Sequence, residues 1–158
     1  MKPNPIKRKR SLGQAMVEFA LCAPVFLFMI MAVIDLSRYV FIEGTMSHIV
    51  RTAARYGVTG ETTTDSSGTA LTWSQSVIVE AQNNNPVPSM IAVSGVSTSF
   101  YIQNVTSAAT YPTDAPVGEK VLFRLTQQFD FITPFLHLLD GTSDPFDIVV
   151  ETIYEIEK

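Results

Sequence analysis

The sequence predicts an α+β protein: a long N-terminal transmembrane helix continues into an amphipathic helix that packs on a small antiparallel β-sheet. Three observations carry this prediction. Phe19 to Ile34 is an unbroken run of 16 uncharged, overwhelmingly apolar residues. Beyond it, Ile42, Met46, Ile49, Ala53 and Tyr56 recur at alternating four- and three-residue spacings, the period of one helix face. Three later stretches alternate apolar and polar residues with period two, as half-buried strands do.

Charge is unevenly spread along the chain. Five of the 11 basic residues (Lys2, Lys7, Arg8, Lys9, Arg10) lie in the first ten positions, and no acidic residue precedes Glu18. Without that segment, 6 basic residues face 15 acidic ones, a net charge of −9. An acidic body repels polyanions, so nucleic acid is not an expected partner. A basic cluster just before an apolar run acts instead as a topogenic signal that holds the N-terminus in the cytoplasm.

The same layout also describes a cleavable signal peptide, which needs small residues just beyond its apolar core. Here the run is followed by Asp35-Leu36-Ser37-Arg38-Tyr39-Val40-Phe41, charged and bulky, so the helix is expected to stay in the membrane. Cys22, the single cysteine, sits inside the run and excludes an intrachain disulfide. The bulky Leu21 before it argues against lipidation.

Sixteen residues at about 1.5 Å each span about 24 Å, short of a hydrocarbon core of about 30 Å. Extending the span to Ala15 draws Glu18 against the membrane. A charge near mid-membrane costs about 3 kcal/mol, less at the edge, so Glu18 calls for a partner. Pro24 removes one helix hydrogen bond and is expected to kink or loosen the helix locally. Asp35 and Arg38, one turn apart, are expected to pair at the outer interface.

The leader Lys7-Arg8-Lys9-Arg10-Ser11-Leu12-Gly13 is followed by four residues, then Glu18, then the apolar run. It resembles leaders cut by prepilin peptidases immediately after the glycine. Taken with Gly13 to Leu21, Pro24, Asp35, Arg38 and Arg51-Thr52-Ala53-Ala54-Arg55-Tyr56-Gly57, it resembles the TadE-like family, pseudopilins or minor pilins of tight-adherence (Flp-type) pilus systems. The resemblance implies processing between Gly13 and Gln14. It implies that Glu18 neutralises the new amine of a neighbouring subunit during assembly. The partners it implies are the membrane, a prepilin peptidase, other pilins or pseudopilins and the pilus assembly machinery. The place it implies is the bacterial cytoplasmic membrane or the pilus, with a single pass and the C-terminal domain outside. An alternative is an uncleaved anchor whose outer domain binds a ligand or scaffolds a complex.

The expected organisation is a basic leader over 1–13, a membrane helix with its amphipathic continuation over 14–57, and an extracytoplasmic α+β domain over 58–158. Gly57 is a plausible C-cap for the long helix. Thr59 to Thr72, rich in Thr, Ser and Gly, reads as a loop. A short helix over Trp73 to Gln82, capped by Thr72 or Ser74, ends before Asn83-Asn84-Asn85-Pro86.

One strand face holds Val96, Thr98, Phe100 and Ile102. A second holds Val121, Phe123, Leu125, Phe129 and Phe131, broken by Gln127, and a third holds Phe146, Ile148, Val150, Tyr154 and Ile156. Opposing charges on the other faces are expected to pair across strands. Thr133 and Pro134 suggest one helical turn in Ile132 to Leu139, closing the core or forming a contact patch.

No enzyme is expected. His48 and His137 lack ligand company, and no phosphate loop, nucleophile elbow or zinc spacing occurs, so neither metal nor cofactor is expected. Asn104-Val105-Thr106 matches a glycosylation acceptor, a pattern common by chance.

Overall fold

The computed structural model describes residues 12–93, 100–133 and 146–157. Five elements follow in order: α1 (Leu12–Val58), α2 (Trp73–Asn83), β1 (Phe100–Asn104), β2 (Lys120–Phe129) and β3 (Phe146–Glu155). The strands form one antiparallel sheet in the order β1-β2-β3. The chain divides into two compact units, Met1–Ser37 with Phe131–Gly141 and Arg38–Asp130 with Thr142–Lys158. The α+β expectation stands: a long apolar helix, a second helix and a small antiparallel sheet.

The second unit holds the core. From Ile42 onward α1 buries Ile42, Met46, Ile49, Val50, Ala53 and Ala54, the expected stripe widened by its neighbours. This face lies along β2, the central strand. Tyr39 meets Phe129 edge to face at 6.0 Å, and further along the helix Gly57 lies against Phe123. The helix therefore runs antiparallel to β2, with Val121, Phe123, Leu125 and Phe129 turned inward.

The other strands complete the layer as their alternation demands. β1 buries Phe100, Ile102 and Asn104, and β3 turns Ile148 inward, with Ile156 buried just beyond its end. On the wet face Arg124 and Glu151 stand opposite each other in register and form an ion pair at 2.6 Å. This is the cross-strand pairing that the charge pattern implies. The pair is exposed, so it sets register more than it stabilises.

α2 starts where its cap dictates. Thr72 accepts from the Gln75 amide while the Gln75 side chain accepts from the Thr72 amide, a capping box. Ser74, the other candidate cap, is buried and donates instead to the Pro112 carbonyl. The loop before α2 is held by Asp65, whose carboxylate accepts from the Ser67 hydroxyl and from the Ser67 and Thr69 amides.

Three expectations change. Gly57 is no cap: α1 continues to Val58, and the chain turns at Gly60 with φ +67°. A Cβ at Gly57 would lie 3.1 Å from the Phe123 ring and 3.2 Å from Trp73, so the glycine is there for close packing. Trp73 cannot retreat easily, because its Nε1 donates to the Gly57 carbonyl at 3.1 Å. β2 ends at Phe129, leaving Phe131 half-buried outside the sheet. Phe146 is 45% exposed, although its ring approaches Tyr39 at 6.1 Å. Val96, Thr98 and the turn proposed at Pro134, with His137, lie outside the described residues.

The contrast between two glycines is testable in full-length protein in detergent by thermal melting. Gly57→Ala is expected to destabilise by about 1 kcal/mol, overpacking outweighing the gain in helix propensity. Gly44, whose added Cβ would meet nothing within 4 Å, is expected to raise the melting temperature on Gly44→Ala. The gain is about 0.5–1 kcal/mol for removing a mid-helix glycine.

Candidate functional site

The residues singled out in the sequence all lie on α1, and the first half of that helix is unlike the second. Twelve large apolar side chains between Met16 and Ile34 are more than 40% exposed, Met16 and Phe19 at 74%. The most apolar 18-residue window has a mean hydropathy of 2.5, and none of it is buried within the protein. Covering such side chains gains about 1.5–3 kcal/mol each, a total on the order of 20–35 kcal/mol. That exceeds the whole stability of an ordinary domain, about 5–15 kcal/mol. This surface belongs in an apolar solvent, and the helix is long enough to cross a membrane.

At its start, Gly13 sits in the first turn, where a Cβ would meet nothing within 4 Å. Its φ is not positive and no side chain crowds it, so the fold makes no demand for glycine here. Gln14 donates from Nε2 to Glu18 Oε1 at 3.3 Å, one turn along the exposed helix surface. That neutral amide leaves the Glu18 charge uncompensated, and among the described residues no cation pairs with it.

Asp35 has a role that the sequence did not suggest. It is 1% exposed, and its two carboxylate oxygens divide two consecutive amides between them. Oδ1 accepts from the Ile132 N–H at 3.0 Å and Oδ2 from the Thr133 N–H at 2.8 Å. Charge-assisted bonds of this kind are about twice as strong as neutral ones. They also give a physical reason why the chain leaves the sheet after Phe129: both amides turn to one carboxylate, an arrangement alternating strand amides do not offer. Arg38 likewise serves its own unit. Its guanidinium lies 5.2 Å from the centre of the Phe129 ring and donates to the Asp130 carbonyl at 3.4 Å. The separations of 97 and 98 residues between Asp35 and its amide donors leave no periodic signal to find.

Of two other candidates, one settles into a structural role. Asn104 is buried, its Oδ1 accepting from the Thr106 and Ser107 amides and its Nδ2 donating to Glu119. Its amide nitrogen is committed to Glu119 and is not presented to a glycosylating enzyme. His48 lies exposed on α1, and no group of metal-ligating side chains occurs among the described residues.

The basic leader ending at Gly13, Glu18 with only a neutral amide beside it, and the bare apolar helix follow one another in one segment. Residues 13–55 match the family model described as TadE-like protein. The match opens on Gly13 and closes on Arg55, so it falls wholly on α1 and leaves α2 and the sheet outside. No curated protein and no solved structure matches the chain. The TadE-like segment and the segment long and apolar enough to cross a membrane are the same helix.

The carboxylate that holds Ile132 and Thr133 can be tested by hydrogen exchange on the full chain in detergent. Asp35→Ala leaves two amides without acceptors and is expected to cost about 2–3 kcal/mol, with faster exchange at Ile132 and Thr133. Asp35→Asn, which keeps one acceptor oxygen, is expected to fall between that variant and the parent. Unchanged exchange at both amides in Asp35→Ala would show that the carboxylate does not hold them.

Proposed function

We propose that the chain is a TadE-like pseudopilin or minor pilin of a tight-adherence pilus system, anchored in the bacterial cytoplasmic membrane. In this reading residues 1–13 are a cytoplasmic leader, 14–57 the membrane helix and its continuation, and 58–158 an extracytoplasmic domain. A prepilin peptidase cuts between Gly13 and Gln14, and the helix stays in the membrane as the assembly element. The observation that carries the reading is the position of Gly13. The family match begins there, the basic leader ends there, and the chain's own fold has no use for a glycine at that point. A residue type that the fold does not need is explained by a partner that does: without a side chain, the scissile backbone is open to a peptidase.

Cleavage would create an ammonium at Gln14, four residues before Glu18. Within one helix Glu18 meets only the Gln14 side-chain amide. In a bundle of such helices, the carboxylate of one subunit neutralises the terminal amine of the next. An uncompensated charge among apolar helices is costly, so the pair sets the axial register of assembly. Asp35 and Arg38 mark the outer end of the apolar run. The partners are then other pilins or pseudopilins and the assembly machinery, beside the peptidase itself.

Intact mass of the protein co-expressed with a prepilin peptidase tests this directly. Mature protein is expected to begin at Gln14, without the five leader charges and with the membrane helix intact. Gly13→Leu is expected to abolish the cut. Glu18→Ala is expected to leave cleavage unchanged while incorporation into the assembly falls at least tenfold. A leader retained beside an active peptidase would instead favour an uncleaved anchor carrying a ligand-binding or scaffolding domain.

A further inference from the structure

The segment Arg51-Thr52-Ala53-Ala54-Arg55-Tyr56-Gly57 divides into two faces, and only one of them is used by the fold. Ala53 and Ala54 are fully buried, and Gly57 lies beneath Trp73 and Phe123. Arg51 and Arg55 point the other way, exposed, and neither has an ion pair or hydrogen bond among the described residues. They stand at i and i+4, where like charges repel across one helix turn. The helix C-terminal dipole favours Arg55 in the last turn but falls off before Arg51. Beside them runs a groove of about 470 Å³ lined by Gly44, His48, Arg51, Thr52 and Arg55 of α1 and by Tyr154 of β3.

This is a basic groove on a body in which 15 acidic residues outnumber 6 basic ones. The chain also carries a strip with two exposed carboxylates on another surface, where Lys120 stands opposite Glu155 in register. Ile156 is buried and its backbone is bonded to Glu119 and Gly118, which turns Glu155 and Glu157 outward on the exposed side. Neither glutamate has an ion pair among the described residues. Two residues of extended chain place their carboxylates about 7 Å apart along the chain. Four residues of helix place Arg51 and Arg55 about 6 Å apart along the axis.

We infer that the groove is a docking site for a second copy of this chain, with Arg51 and Arg55 of one copy receiving Glu155 and Glu157 of the next. Donor and acceptor are different surfaces of one molecule, so the contact is heterologous. Contacts of that kind propagate from copy to copy unless the rotation closes a ring. The inference deepens the pilin-subunit reading and rests on it for the use of such propagation, but it concerns the part of the chain outside the membrane helix's own packing.

Two charge-reversed full-length proteins in mild detergent test it, with self-association measured by sedimentation at low salt. Arg51→Glu/Arg55→Glu and Glu155→Arg/Glu157→Arg are each expected to weaken the salt-sensitive part of association at least tenfold. An equimolar mixture of the two is expected to restore it, because the reversed groove of one now faces the reversed strip of the other. Association unchanged in either variant, or a mixture that stays apart, would overturn the proposed contact. Arg51→Gln/Arg55→Gln, a milder change, guards against misfolding and is also expected to weaken association; parental association there would overturn the proposal. Leader cleavage, read separately by mass, distinguishes the two ideas. Cutting at Gln14 with charge-insensitive association sinks the docking site alone, and a retained leader with charge-sensitive association sinks the pilin reading alone.

Discussion

Helix α1 carries apolar side chains all round its first half and mainly on one side of its second, and the rest of the structure follows from where those side chains can go. From Ile42 to Ala54 they have a destination within the chain, the inner face of the sheet. From Met16 to Ile34 they have none. A single hydrogen-bonded rod thus serves two apolar environments, and its backbone groups are satisfied internally in both. Pro24 lies within the lipid-suited half without ending the helix.

The core formed under the second half is small, and its close approaches are made by residue size rather than by strength of interaction. Ala53, Ala54 and Gly57 let the helix settle close to β2 and α2, and Trp73 fills the space beside Gly57 and Phe123. Tyr39 and Arg38 secure the other end of the contact on Phe129. The helix is held near both ends of β2, so its direction relative to the sheet is specified by a few aromatic contacts rather than by hydrophobicity in general.

The charged residues of α1 divide by what answers them. Asp35 is answered within the chain by two backbone amides, and Arg38 by a ring and a carbonyl. Glu18 meets only a neutral amide, while Arg51 and Arg55 meet nothing among the described residues. Charges satisfied internally explain themselves by the fold. Those left over are where a partner has something to gain, and they lie toward the two ends of the helix.

Much of this was legible in the sequence because it depends on local period. The apolar run, the helical stripe, the capping box at Thr72 and the alternating faces of β2 and β3 each repeat within one element, where side-chain direction follows residue number. Gly13 and Glu18 follow the basic leader in the sequence, and the structure places both on α1. What tertiary structure alone decided depends on residues far apart in the chain. Gly57 reads as a cap until Phe123 and Trp73 are seen against it. Phe131 reads as strand until the amides that follow it turn to Asp35. Arg51 and Arg55 read as an ordinary polar face until the chain's other charges are placed. A helix or strand writes its own period into the sequence, but a contact between two elements is fixed by shape and by unsatisfied hydrogen-bonding groups, and these have no spacing to read.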